Sequence, residues 1–214
     1  MEGGKKMLRL VYLHTADLPA EVPELSAFRR EKQEQCRTKQ SLLRCMGAGV
    51  ALDFALQTVG LREKDMVYAL GTHGKPEFQN HPELHFNLSH SGAWVLCALA
   101  DCAVGCDVEQ IRPLKAAVAE RFFAPQEMRI LNAASASERE LLFFRLWTLK
   151  ESFVKASGEG LHRPFSSFSV PLTAPISVEN RFLTELQQMR PQACAACCTM
   201  EPQEEISVMR YHIK

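Results

Sequence analysis

Ala93-Trp94-Val95-Leu96-Cys97-Ala98-Leu99-Ala100, then Asp101-Cys102, then Ala103-Val104-Gly105-Cys106-Asp107-Val108-Glu109-Gln110, is the stretch on which the reading of the fold turns. Its first eight residues form a nearly continuous apolar run, the pattern of a strand buried on both faces. A tight turn near Asp101-Cys102 predicts a second strand over 103–110, antiparallel to the first. On that strand Asp107 and Glu109 stand two residues apart, so both leave by one face while Val108 and Cys106 pack on the other. Their Cα atoms are then about 6–7 Å apart, close enough to share one hydrated cation. Arg112-Pro113 ends the strand. Acids on a strand are usually solvated, but this strand otherwise reads as buried, and a buried carboxylate is costly unless paired. A cation would offset that cost.

About forty residues further on comes Trp147-Thr148-Leu149-Lys150-Glu151-Ser152-Phe153-Val154-Lys155-Ala156-Ser157-Gly158-Glu159-Gly160. It belongs to a helix expected over 137–157, where Leu142, Leu146, Leu149 and Phe153 make a core stripe and Trp147, Glu151 and Lys155 share a neighbouring face. Gly158 and Gly160 supply its stop. Asp107, Glu109 and Glu151 together offer the hard oxygen ligands that Mg²⁺ prefers, with lysines on either side. The commonest use of such a site is to bind and split a phosphate ester or anhydride.

The 214 residues suffice for one large domain or two small ones, and 46% hydrophobic content can fill a core. Lys plus Arg and Asp plus Glu both total 25, so no net field draws the chain to nucleic acid. The apolar run near the N-terminus stops at His14, too short for a signal peptide or membrane span, and a cytoplasmic location is expected. Eight cysteines, mostly in apolar stretches, read as reduced core thiols. Cys194-Ala195-Ala196-Cys197-Cys198 reads as a structural strand, because no second Cys/His pair stands at zinc-ligand spacing.

Elsewhere, residues 7–14 alternate as a strand, and 27–58 read as one long helical stretch, with Leu42, Leu43, Met46, Val50 and Phe54 near helical spacing. Its solvent face is basic: Arg29, Arg30, Lys32, Arg37, Lys39 and Arg44 against Glu31 and Glu34. Most such runs are simply solvated, but this one is also a possible phosphate seat. Gly71-Thr72-His73-Gly74-Lys75-Pro76 predicts a loop presenting an ammonium group. Pro125 predicts a helix start with Glu127 near its positive end. Strands are expected over 168–172, 193–200 and 205–212.

Two of these segments, Gly105-Cys106-Asp107-Val108-Glu109 and the Trp147 to Gly160 run, resemble the diagnostic motifs of 4′-phosphopantetheinyl transferases. Gly74-Lys75-Pro76 and Phe86-Asn87-Leu88-Ser89-His90-Ser91-Gly92 resemble two further motifs of that family, in the same order. The similarity runs from about Arg29 to Val170, and the chain length is similar to that of the surfactin (Sfp) branch. The shorter, trimeric holo-carrier-protein synthases fit less well.

The resemblance implies an α+β fold of two similar halves packed as a pseudo-dimer, each an antiparallel sheet with a long helix. We expect halves at 1–104, with nucleotide-binding elements, and 105–214, with the metal site and catalytic helix. It implies a monomer that moves the 4′-phosphopantetheine arm of coenzyme A to a serine of an acyl- or peptidyl-carrier protein, releasing adenosine 3′,5′-bisphosphate, with no part for nucleic acid or membrane. Mg²⁺, or Mn²⁺, would be held by Asp107, Glu109 and Glu151. Lys155 would stabilise or protonate the leaving phosphate, and Glu151 would accept the serine proton directly or through water. Coenzyme A would meet Ser89 and His90, placed in a loop, at its phosphates, and Lys75 and Pro76 at its adenine end. Lys150 and Lys155 would flank the reactive end, and Arg29, Lys32 and Arg44 would take the 3′-phosphate, with Arg30 or Arg37 as alternatives. The segment after Gly158 is the expected carrier contact. A metal-dependent phosphohydrolase or nuclease could use the same carboxylates, and a non-catalytic coenzyme A- or carrier-binding module is the third reading. The hydrolase would not need Gly74-Lys75-Pro76 or the Asn87-to-Ser91 segment, and intact Glu151 and Lys155 argue against the silent module.

Overall fold

The computed structural model describes residues 6–71, 74–113, 116–158 and 163–212. β1 (Met7–His14) is followed by two helices, α1 (Ala27–Glu34) and α2 (Lys39–Gln57), where one long helical stretch is expected. The break has a local cause. Thr38 and Ser41 form a reciprocal cap, each side chain accepting from the other's backbone N–H, which starts a new helix at Lys39. The short strands β2 (Tyr68–Leu70) and β3 (Pro76–Phe78) pair with each other, and β4 (His85–Ser91) turns through Gly92 into β5 (Trp94–Ala100). Ser89 and His90 therefore sit on a strand, not in a loop.

β6 (Val104–Gln110) forms where expected but does not pair with β5. The reason is that both edges of β5 are already taken, by β1 and β4. β6 is instead an edge strand of a second sheet and pairs with β9 (Ala193–Thr199). Between them in sequence run α3 (Ala116–Phe122), α4 (Pro125–Ala133), α5 (Ala136–Ser157), β7 (Ile176–Val178) and β8 (Arg181–Glu185). No strand forms over 168–172, which follows a 3-10 turn at Phe165–Ser167.

The last strand, β10 (Glu205–Arg210), crosses back to pair in parallel with β1. A boundary at 104/105 therefore assigns β10 to the wrong half. The first sheet, ordered β10-β1-β5-β4, is mixed, and the second, β6-β9-β8-β7, is antiparallel. Leu8, Leu10, Leu96 and Ala98 of the first sheet bury against Val104, Cys106, Ala195 and Cys197 of the second. α2 covers the outer face of the first sheet, and α5 that of the second. The result is two α+β halves sharing one central core. All three cysteines of β9 are buried free thiols, Cys197 in that core and Cys194 and Cys198 on the face covered by α5. Among the described residues no helix is long and apolar enough to cross a membrane.

Candidate active site at the junction of the two sheets

Strands β4 and β6 are edges of different sheets, and side chains join them. The Asn87 amide oxygen accepts from the Cys106 N–H at 2.9 Å, and the Ser89 hydroxyl accepts from the Val108 N–H at 3.3 Å. Period-2 alternation puts Asn87, Ser89 and Ser91 on one face of β4, toward β6. Ser89 Oγ donates to Asp107 Oδ1 at 2.8 Å, and Ser91 Oγ to Glu109 Oε2 at 2.6 Å.

The opposite side of the acidic pair is closed by α5. Lys155 Nζ is 2.6 Å from Asp107 Oδ1, and Glu151 lies one helical turn earlier. This closeness rests on Gly105. A Cβ at that position would overlap the Ser152 carbonyl oxygen and the Ala156 nitrogen, so only glycine lets the α5 backbone settle on β6. Gly158, at φ 73°, then ends α5 in the left-handed conformation.

The electrostatics bear the mark of crowded, desolvated acids. Burial pushes the Asp107 carboxyl above its ordinary range, against the pull of Lys155 and Ser89. Burial, reinforced by Asp107 and Glu109 and opposed by Lys155, pushes Glu151 up to about 6. Lys155 is held above its usual value, because Asp107 outweighs the burial that works against its charge. His90 keeps an exposed ring whose pKa is lowered, chiefly by desolvation from its neighbours and then by Arg44 and Lys155. Arg44, His90, Lys155 and the three carboxylates thus form one connected electrostatic chain.

The carboxylates are near one another without converging on a point. Among the described residues no group of three or more His, Cys, Asp or Glu is placed to hold a metal ion. Lys155 occupies one oxygen of Asp107, and Arg112 pairs with Glu109 at 2.8 Å. Asp107 Oδ2, however, is buried with no hydrogen-bond partner. Such an oxygen is expensive to leave unmatched, and it fits a hard cation that the other two carboxylates could also reach once Arg112 and Lys155 turn aside.

Three expected binding residues are placed differently. Lys150 is fully buried on the far side of α5, in a 3.0 Å ion pair with Glu127 and donating to the carbonyls of Phe165 and Phe168. It cannot meet a phosphate. Lys75 does not present its ammonium either; Nζ donates to the carbonyls of Val104 and Lys155 at 2.9 and 3.0 Å, stitching the hairpin to β6 and α5. Arg29 is only 7% exposed, lying among Phe28, Tyr68 and Phe86 beside fully buried Glu63. The buried Glu63 carboxylate demands that cation, which takes Arg29 off the solvent face. Lys32 stays exposed, and Arg44 is half-buried beside His90.

Besides a cavity of about 270 Å³ lined by Glu109, Arg112 and Trp147, two cavities flank the cluster. One, about 310 Å³, lies between the halves and is lined by Lys75, Pro76, Phe78, His85, Phe86 and the end of α5 at Ala156–Gly158. The other, about 210 Å³, is bordered by Glu151, Trp147, Arg121, Phe122, Arg163 and Phe165. Trp147 stacks on Phe143 at 5.6 Å and meets Phe122 and Phe165 edge-on, a support packed beneath Glu151. Asn87, Ser91, Arg112 and Glu127, named in the sequence only as motif members, a strand end and a helix start, prove to bond to the site or support it. The alternation Asn87-x-Ser89-x-Ser91 was the available signal for two of them.

Residues 103–198 match the family model of the 4′-phosphopantetheinyl transferase superfamily. The chain is 32% identical over 200 residues to the 4′-phosphopantetheinyl transferase Sfp of Bacillus subtilis (strain 168), covering 87% of this chain and 89% of that one. It is 36% identical over 152 residues to another 4′-phosphopantetheinyl transferase from Bacillus subtilis, covering 69% of this chain and 68% of that one. Among solved structures, a Thermotoga maritima holo-[acyl-carrier-protein] synthase aligns with a TM-score of 0.39 at 20% identity, over 47% of this chain and 64% of that one.

Proposed function

The chain belongs to the 4′-phosphopantetheinyl transferase family, and from that premise we propose that it moves the 4′-phosphopantetheine arm of coenzyme A onto a serine of an acyl- or peptidyl-carrier protein. Serine Oγ attacks the β-phosphorus, the bond to the bridging oxygen breaks, and adenosine 3′,5′-bisphosphate leaves. The observation that carries this reading is the Asp107, Glu109, Glu151 and Lys155 cluster with the unmatched Asp107 Oδ2 at its centre.

Asp107, Glu109 and Glu151 would hold a divalent cation, Mg²⁺ or Mn²⁺, which would supply charge neutralisation for the pyrophosphate. Lys155 swings from Asp107 to the leaving phosphate, where its ammonium stabilises the charge that develops. Glu151 takes the serine proton, directly or through water. The adenine end of coenzyme A occupies the cavity along Pro76 and the end of α5, with His90, Lys32 and Arg44 on its phosphates. The carrier serine enters from the Trp147 side. Both halves of the site come from one chain, so a monomer suffices.

The test is a mass measurement on apo carrier protein incubated with coenzyme A and Mg²⁺. A gain equal to one phosphopantetheine is expected, and it should be lost with Asp107→Asn while the thermal midpoint holds. Hydrolysis of coenzyme A with the carrier unmodified, or binding alone, would overturn the reading.

A further inference from the structure

The hydrogen bonds to the acidic pair are lopsided. Asp107 receives Ser89 Oγ at 2.8 Å and Lys155 Nζ at 2.6 Å, both on Oδ1, and its Oδ2 is buried with no partner. Glu109 receives Ser91 Oγ at 2.6 Å and Arg112 at 2.8 Å, both on Oε2, and among the described residues no hydrogen bond reaches Oε1. One oxygen of each acid is thus held by the protein while the other is left open. The serines are the fixed part of this arrangement. Each is 8% exposed, and they stand two residues apart on β4 as the acids do on β6, so a buried hydroxyl faces each carboxylate. The Arg112 side chain, by contrast, is 58% exposed and free to turn aside, after which the Ser91 hydroxyl still holds Oε2.

We propose that Ser91, with Ser89 as its counterpart on Asp107, sets the metal preference of the site: by holding one oxygen of Glu109 it leaves that acid a single oxygen to offer, which selects Mg²⁺ against Ca²⁺. The inference rests on the metal site of the proposed function and deepens it. Mg²⁺ takes about six oxygens at roughly 2.0–2.1 Å in a strict octahedron and suits carboxylates that each give one, whereas Ca²⁺ takes about six to eight at roughly 2.3–2.6 Å and accepts both oxygens of a carboxylate. A hydroxyl donating to Oε2 withdraws the second oxygen that a calcium ion would use. Donors placed behind ligands in this way fix how those ligands point. Ser91 acts through Glu109 and is a positioning residue.

The test is competition for Mn²⁺ on the full chain with coenzyme A present, where the EPR signal of free Mn²⁺ reports displacement by Mg²⁺ or Ca²⁺ and no turnover is needed. Wild type should hold Mg²⁺ more tightly than Ca²⁺. Ser91→Ala should lower the ratio of the Ca²⁺ Kd to the Mg²⁺ Kd by at least about threefold, and Ser91→Thr, which restores the hydroxyl, should keep it within about twofold of wild type. A serine that only joined the two sheets would lower the thermal midpoint in Ser91→Ala without moving the ratio, and that result overturns the proposal. A wild type that prefers Ca²⁺ overturns it too, and does so even where Ser91→Ala fails to fold. Mn²⁺ uptake no greater than that of coenzyme A alone removes the metal site of the proposed function along with the role of Ser91, a failure distinct from an unchanged ratio.

Discussion

Glu151 is the residue whose environment is most tuned. Its folded pKa near 6 lies above the ordinary 4.5, so in metal-free protein the folded state holds this proton more tightly than the unfolded chain does. The stability it contributes is fully present below pH 4.5 and is lost as pH rises through 6. The loss is at most about 2 kcal/mol, reduced by whatever solvent reaches the carboxylate. Urea midpoints at pH 4.5 and 7 with chelator present should show this fall, and Glu151→Gln should flatten it. An unchanged slope in the variant would mean that burial does not raise the Glu151 carboxyl. Asp107 holds Lys155 charged, although burial still pushes the Asp107 carboxyl upward, and their ion pair keeps the site assembled until a phosphate competes for the ammonium.

At the scale of elements, the meeting of α5 with β6 decides whether the site exists. Gly105→Ala forces the helix backbone off the strand at Ser152 and Ala156, each next in sequence to an active-site residue of α5. Transfer should fall at least about 100-fold, because a displacement near 1 Å can cost that much, and the thermal midpoint should drop with it. Retained activity would show that the helix has slack. On the opposite face of α5, the Lys150–Glu127 pair ties the segment 163–170 to the helix, with Glu127 also accepting from the Ala124 and Val170 N–H groups. Lys150→Met alone strands a buried carboxylate and should cost about 3–5 kcal/mol in denaturant unfolding, whereas Lys150→Met with Glu127→Leu should cost less than either single change. A double variant as unstable as the sum of the two would contradict a pairwise buried ion pair.

Over the whole molecule, the chain closes on itself through β10. Its parallel ladder runs from Met7–Glu205 to Tyr12–Arg210, and it covers the edge of β1 that would otherwise stand open. A fragment ending at Gln203 should therefore unfold at a lower temperature and aggregate, as measured by thermal melts and size-exclusion profiles; an unchanged melt would show that β10 is dispensable. The elements of this fold were largely legible in the sequence. The β5 and β6 patterns, the α5 stripe, the Gly158 stop and the placement of Asp107, Glu109 and Val108 on opposite faces all follow from local periodicity and backbone preference, which a single segment carries. What only the tertiary structure decided is partnership: that β6 joins β9, that β10 returns to β1, and that Lys75, Lys150 and Arg29 spend their charges inside the protein. Those outcomes depend on which strand edges remain free and which buried carboxylates or carbonyls need a cation, and these are properties of residues far apart in the chain.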